Sequence, residues 1–299
     1  MRFFLFSIFL LTLIMLSTNC GPTDTNYSPQ QLAKKRKKRQ HATLSILAAL
    51  PNKVKSPETN PSSPLKVQLG KLLFFDPILS GDKDVACATC HHPQNGYAEF
   101  RDLSIGVNGV GLGSKRTFNQ PNAIPIVKRN AHTILNTAYN GINTSNQYVP
   151  ENAPMFWDVR TLSLENQAIE PIKALEEMRG THFTEEEILV EVVNRIKALP
   201  EYQTLFTTAF TEDNPITTSN IGKAIAAFER SLVTSNTRFD RYMRGEEDAI
   251  SLSEKDGFEL FKKVGCANCH NGAMFSDFKP HIIGVPTNEK LPELDKGFK

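Results

Sequence analysis

The sequence predicts a mostly α-helical fold with long loops, and three observations point there. Helix-start signatures recur at Ser63-Pro64, at Thr184 before three glutamates, and at Ser251-Leu252-Ser253-Glu254, each followed by apolar residues at helical spacing. No set of alternating apolar and polar runs marks a sheet. Glycine- and proline-rich stretches separate the periodic segments. At 299 residues the chain holds one large or two ordinary domains, and 40% hydrophobic with 22% charged content is that of a globular protein.

In chain order, Arg2 and the apolar run Phe3–Leu16 read as an export signal too short for a comfortable membrane span. The run closes on Leu16-Ser17-Thr18-Asn19-Cys20, a loose lipoprotein box in which Cys20 is the lipidated residue; ordinary cleavage and an uncleaved anchor are the alternatives. The expected location is therefore the periplasm, with a lipid tether to a membrane through Cys20. Residues 21–62 read as a linker, with a helix over Gln30–Leu50 carrying the basic run Lys34–Arg39. Residues 1–40 carry an excess of six positive charges, more than the +2 of the whole chain, so the remaining body is mildly acidic. It offers no field for nucleic acid.

The globular part is expected from Ser63. A helix with Leu65, Leu69, Leu72 and Leu73 on its apolar face ends at Phe74-Phe75-Asp76-Pro77, and Ser80-Gly81-Asp82 turns the chain. Residues 102–146 read as loop. Gly106, Gly109, Gly111 and Gly113 follow no predicted strand, so they make a poor phosphate cradle. Helices return over Leu162–Ala174, interrupted near Pro171, and from Thr184 through Ile188, Val190, Val192, Val193 and Ile196. Two more are expected, over Ile221–Leu232 with Ile225 and Phe228 inward, and from Ser251 through Val264 with Phe258 and Phe261.

Four of the five cysteines fall in two identical C-x-x-C-H frames, Cys87-Ala88-Thr89-Cys90-His91 and Cys266-Ala267-Asn268-Cys269-His270. Two thiols to attach the porphyrin and an imidazole to ligate the iron lie within five residues, the frame of covalent haem c attachment. Zinc is the rival for C-x-x-C pairs, but zinc does not require a histidine after both of them. Disulfides within each pair would close tiny loops. His91 and His270 are thus expected as iron ligands. The group on the opposite face of each iron decides between electron transfer and peroxide chemistry.

Further motifs occur in order: Leu69-Gly70-Lys71-Leu72-Leu73-Phe74-Phe75-Asp76-Pro77, Arg129-Asn130, Phe156-Trp157-Asp158 with Arg160, and Leu164-Glu165-Asn166-Gln167. They continue with Arg238-Phe239-Asp240-Arg241-Tyr242, Gly257 with Phe261, and Cys269-His270-Asn271-Gly272 with Phe275-Ser276-Asp277. Over residues 63–299 the chain resembles the bacterial di-haem cytochrome c peroxidases, a family that includes the MauG-type enzymes. The resemblance implies two cytochrome c-like haem domains, with a peroxidatic haem in residues 63–235 and an electron-receiving haem from residue 236 to 299. It implies hydrogen peroxide as substrate, a small cytochrome c or cupredoxin as donor, an inter-domain calcium and a homodimer. Glu165 matches the acid–base glutamate, and Trp157 and Arg160 belong to the peroxidatic surround. A MauG-type oxidase acting on a partner protein and a di-haem electron carrier are the alternative activities.

The chain departs from the family at several places. His132 stands where proline is usual, Leu135 where a tryptophan often lies between the haems, Val159 in place of a glycine, and Met155 in place of glutamine or an aromatic. No histidine occupies the usual distal position, so the first haem is expected to be open, with His132 the alternative ligand and His92 structural. Met274 is too near His270 to cross to the opposite face. The distal ligand and closing helix of the second haem domain, and C-terminal calcium ligands, are not found by Lys299, so that domain reads as incomplete. His281 is expected to contact a propionate or to be structural.

Overall fold

The structure, a computed structural model, describes residues 47–297 together with Ser28, Gln30, Gln31 and Lys34. The export signal, Cys20 and Lys35–Arg39 lie outside the described residues. No helix among the described residues is long and apolar enough to cross a membrane.

The first helix, α1 (Pro64–Phe75), starts as its sequence requires: Ser63 accepts from the Lys66 N–H, and Pro64 occupies the first turn, where its missing donor costs nothing. Its buried face is Leu69, Gly70, Leu73 and Phe74. Leu65 and Leu72, expected inward, are 46% and 45% exposed. The reason is the partner: α1 crosses α7 (Thr218–Ser231) at Gly70, where an added Cβ would stand 1.8 Å from the Ala224 carbonyl oxygen. That backbone approach selects the stripe centred on Gly70. Phe74 then meets Phe228 at 5.2 Å between ring centroids.

After the one-turn helix α2 (Cys87–Cys90), the expected loop over 102–146 holds short turns and a two-residue strand pair, β1 (Gly109–Val110) with β2 (Thr117–Phe118). A second small pair, β3 (Pro154–Met155) with β4 (Thr161–Leu162), encloses the Phe156–Arg160 turn. The segment expected as one interrupted helix is two, α3 (Leu164–Gln167) and α4 (Glu170–Lys173), followed by a π-turn over Leu175–Arg179. The break precedes Pro171, which lies in the first turn of α4 and so begins that helix.

Thr184 and Glu187 close a reciprocal capping box on α5 (Glu185–Lys197), which buries Ile188, Val192 and Ile196 and leaves Val190 exposed. Helices α6 (Pro200–Ala209) and α8 (Arg238–Met243) were not expected; Pro200 starts the first, and Thr237 with Asp240 boxes the second. The Ser251–Glu254 box opens α9 (Leu252–Lys263), which buries no residue. The main core joins α1, α5, α6 and α7 through Leu69, Leu73, Ile196, Phe206 and Ile225.

Residues 47–62 correct the expected linker. Leu47 and Leu50 are buried, Leu47 bridges Gly272, and neither end of 47–50 is helical. The Leu50 N–H donates to Asp240 Oδ1 at 2.9 Å, and Tyr139 donates its hydroxyl to the Pro51 carbonyl at 2.8 Å. Apolar side chains and backbone donors find partners there, so the segment joins the second core cluster of Leu50, Tyr139, Ile142, Tyr148 and Ala273.

Candidate functional site

The first C-x-x-C-H frame folds as one helical turn. The His91 N–H donates to the Cys87 carbonyl, which turns both thiols and the imidazole toward a cavity of about 400 Å³. His91 Nδ1 lies 3.1 Å from the Tyr97 carbonyl and 3.0 Å from that of His132. A carbonyl only accepts, so Nδ1 carries the proton and Nε2 keeps its lone pair for a metal. Burial, then His132, holds the His91 imidazolium down to about 4, so the ring is neutral. Burial also pushes the Cys87 thiol up to about 12 and the Cys90 thiol higher still, and neighbouring Glu229 and Glu99 add to it. Two neutral sulfurs in an apolar wall suit thioether bonds better than a thiolate–zinc site.

Within the lining are Met155, Trp157, Asp158, Arg160, Gln167 and Glu177. The turn that carries Trp157, Asp158 and Arg160 is strained: Phe156 has φ 66° and Val159 φ 54°. A β-branched residue in the left-handed region is costly, and Val159 is the place where the resembling family has glycine. The turn is held by charge. Asp158 accepts from Arg129 at 2.7 Å and from Arg160 at 2.9 Å, which keeps its carboxyl low although burial opposes this. Arg160 stacks 3.6 Å above the Phe156 ring, and Trp157, 60% exposed, donates its indole N–H to the Asn130 carbonyl. Arg129 also makes a two-point contact with Asp295, and Lys290 pairs with Asp102.

His132 sits behind His91. Its carbonyl takes the His91 Nδ1–H, and its ring lies 6.5 Å from His91 and 5.3 Å from Trp157. That backbone is on the side of His91 away from Nε2. His92 Nδ1 accepts from the Gln94 N–H and does not line the cavity.

Glu165 is not brought to this cavity. Both its oxygens accept from Arg230 Nη2, at 2.8 and 2.9 Å, and Oε1 also accepts from Asn60 at 2.8 Å. It faces a groove with Glu151, Asn166 and Lys223 instead. Three carboxyls that sequence reasoning missed do line the first cavity, Glu176, Glu177 and Glu229. Burial raises Glu177 to about 7 and Glu229 to about 8. Glu229 carried a legible signal, for Ile221, Ile225 and Glu229 recur every four residues on one helix face.

The second frame is more open. Cys266, Cys269 and His270 are exposed, and Gly265 at φ 93° turns the chain from α9 into Cys266–Asn268. Its imidazole is prepared in the same way, with Nδ1 3.1 Å from the Phe275 carbonyl. Phe261 stands 6.3 Å from that ring, within a chain of Phe239, Phe258 and Phe275. Met274 packs against the Leu50–Tyr139 cluster, and His281 pairs with Asp277 at 2.9 Å.

The family model for di-haem cytochrome c peroxidase matches residues 64–248. The MauG methylamine utilization protein of Methylorubrum extorquens is 38% identical over 84% of this chain and 62% of its own length. The cytochrome c551 peroxidase of Pseudomonas aeruginosa is 31% identical over 85% of this chain and 64% of its own. The chain therefore spans somewhat under two thirds of these relatives. A crystal structure of a MauG-like protein associated with microbial copper homeostasis superposes with TM-score 0.58 at 27% identity, over 79% of this chain and 62% of that one. The diheme peroxidase BthA of Burkholderia thailandensis, at 21% identity, shares the fold with TM-score 0.58, over 84% of this chain and 68% of that one.

Proposed function

The chain belongs to the di-haem cytochrome c peroxidase family, and from that premise we propose that it reduces hydrogen peroxide at a haem c held by the first frame. Electrons enter through a second haem c at Cys266, Cys269 and His270, from a small cytochrome or copper protein. In this reading residues 63–235 form the peroxidatic part, residues 236–299 belong to the electron-receiving part, and the protein works in the periplasm.

The observation that carries the reading is the prepared His91. Its Nδ1 proton is fixed on two carbonyls, so Nε2 is free beside two cavity-facing cysteines. Cys87 and Cys90 would attach the porphyrin and His91 would ligate the iron. Arg160 and Arg129, oriented by Asp158, place positive charge at the rim for porphyrin carboxylates, and Trp157 covers the mouth. When bound, the haem supplies an iron that accepts peroxide and passes electrons. The protein's part is to exclude water from the apolar wall, neutralise the carboxylates and manage protons. Glu165 takes part in proton transfer to the cavity only by leaving Arg230.

A MauG-type oxidation of a partner protein is the second reading, favoured by the 38% identity to MauG. Met155, which lines the same cavity, gives a third: as a permanent iron ligand it would leave an electron carrier. Pyridine haemochrome analysis with resting-state and peroxide-treated spectra separates them. Two haems per chain and rapid peroxide turnover with a reduced small cytochrome are expected. No haem refutes the proposal, and a low-spin first haem inert to peroxide selects the carrier.

A further inference from the structure

Glu229 lies on α7, four residues after Ile225, and both side chains line the first cavity. It is 5% exposed, and its Oε2 has no hydrogen-bond partner among the described residues. The helix could have placed it elsewhere: its sequence neighbour Arg230 turns to Glu165, outside the cavity lining. A buried carboxyl oxygen without a donor is costly. Two remedies exist: the group holds its own proton, and it finds a partner in the cavity it faces.

We propose that Glu229 is the proton-holding group of the first cavity, hydrogen-bonding to a small protic ligand bound there and exchanging a proton with it. The inference rests on the haem reading of the first frame. In the donating direction the proton leaves the carboxyl and the O–H pair stays on Glu229 as carboxylate, while the ligand oxygen or nitrogen gains the proton. A proton from solvent restores the acid. No oxidant or reductant enters this step, and both directions are open because the carboxyl titrates near neutral pH, at about 8.

Several charged groups surround it. Burial raises Glu229 most, Arg230 on its own helix opposes that, and Glu165 from α3 adds to it. Cys87 of α2 loses its thiol proton on attachment and then carries no charge. The same cavity is lined by His91, Lys128, His132, Arg160, Glu176 and Glu177, and by the Arg129–Asp158 pair. The second acid, Glu177, titrates at about 7, one pH unit from Glu229, so variants must tell the two apart.

The test uses the haem-loaded full chain and cyanide as probe, since cyanide binds as the anion and gives its proton to a nearby base. Across about pH 6 to 10, the cyanide Kd of the wild type should inflect near pH 8 by about two- to tenfold, the worth of one hydrogen bond. Glu229→Gln should lose that inflection, Glu229→Asp should keep it at a displaced pH, and Glu177→Gln should leave it in place. Infrared difference spectra on cyanide binding should show a protonated-carboxyl band that only the Glu229 variants alter. An inflection near pH 8 that persists in Glu229→Gln after the ionisation of cyanide itself is subtracted, or a wild type whose carboxyl band ignores cyanide, overturns the proposal. Should Glu229→Gln fail to fold, the wild-type infrared response together with Glu229→Asp decides it. A wild type without haem overturns the haem reading itself, a separate result read by haemochrome before any cyanide is added.

Discussion

Replacing Glu165 by Gln separates structure from chemistry at the residue whose motif suggests an acid–base role. In the fold its carboxylate makes a two-oxygen contact with Arg230, and the side chains are 15% and 3% exposed. Arg230 bonds Glu165 through Nη2 alone, and its Nε and Nη1 have no partner among the described residues, so Glu165 is the counter-charge of a buried guanidinium. Stranding a buried charge costs about 3–5 kcal/mol, and the residual exposure of Glu165 argues for the lower end, about 3 kcal/mol. For a body of this size that is a fall of about 6–12 °C in Tm. Arg230→Met should cost less, about 2 kcal/mol, because Asn60 still donates to Glu165 and Lys66 lies nearby. The double variant should be no worse than Glu165→Gln alone, giving a coupling of about 2 kcal/mol. Thermal unfolding of the haem-loaded variants by circular dichroism reads these values, with peroxide turnover measured in parallel. A Glu165→Gln protein as stable as the wild type, yet tenfold or more slower with peroxide, would refute the structural account and return Glu165 to the chemistry.

Other outcomes follow from the same contacts. Val159→Gly should raise stability by about 1 kcal/mol, since glycine adopts φ 54° without the Cβ penalty; urea unfolding measures it, and a loss would mean the turn is not strained. Gly70→Ala should destabilise by about 3 kcal/mol or more, because its Cβ would overlap the Ala224 carbonyl oxygen and force α1 off α7; a soluble variant with unchanged Tm would contradict that crossing. Glu229 keeps its proton in the fold to about pH 8, whereas the unfolded chain releases it near 4.5. The folded state therefore binds more protons across this window, and stability falls as pH rises from about 4.5 to 8, by at most about 1.4 kcal/mol per pH unit. Glu177 acts in the same direction up to about 7. Melting curves at several pH values should show the slope, reduced in Glu229→Gln; equal slopes would remove Glu229 as its source.

Much was legible in the sequence because it depends on neighbours along the chain. The capping boxes at Thr184 and Ser251, the proline start of α1 and the two C-x-x-C-H turns are local, and each stands where its residues require. The C-x-x-C-H frames are self-sufficient for the same reason: two thiols and an imidazole lie within five residues. Burial is another matter. Leu65 and Leu72 fit a helical face as well as Phe74 does, and only the close passage of α7 over Gly70 decides which stripe is covered. Residues 47–62 look like a linker by composition, yet Asp240 and Tyr148, far along the chain, supply the partners that fix them. The carboxyls divide in the same way. Motif order singles out Glu165, but Arg230 arrives from α7 to claim it, and one position before that arginine Glu229 turns into the cavity. Sequence alone determined which cofactor chemistry the chain is equipped for, because two thiols and an imidazole within five residues are a local feature. The tertiary structure decided which carboxyls line the first cavity, because a carboxyl's partner and its proton depend on what the fold brings against it.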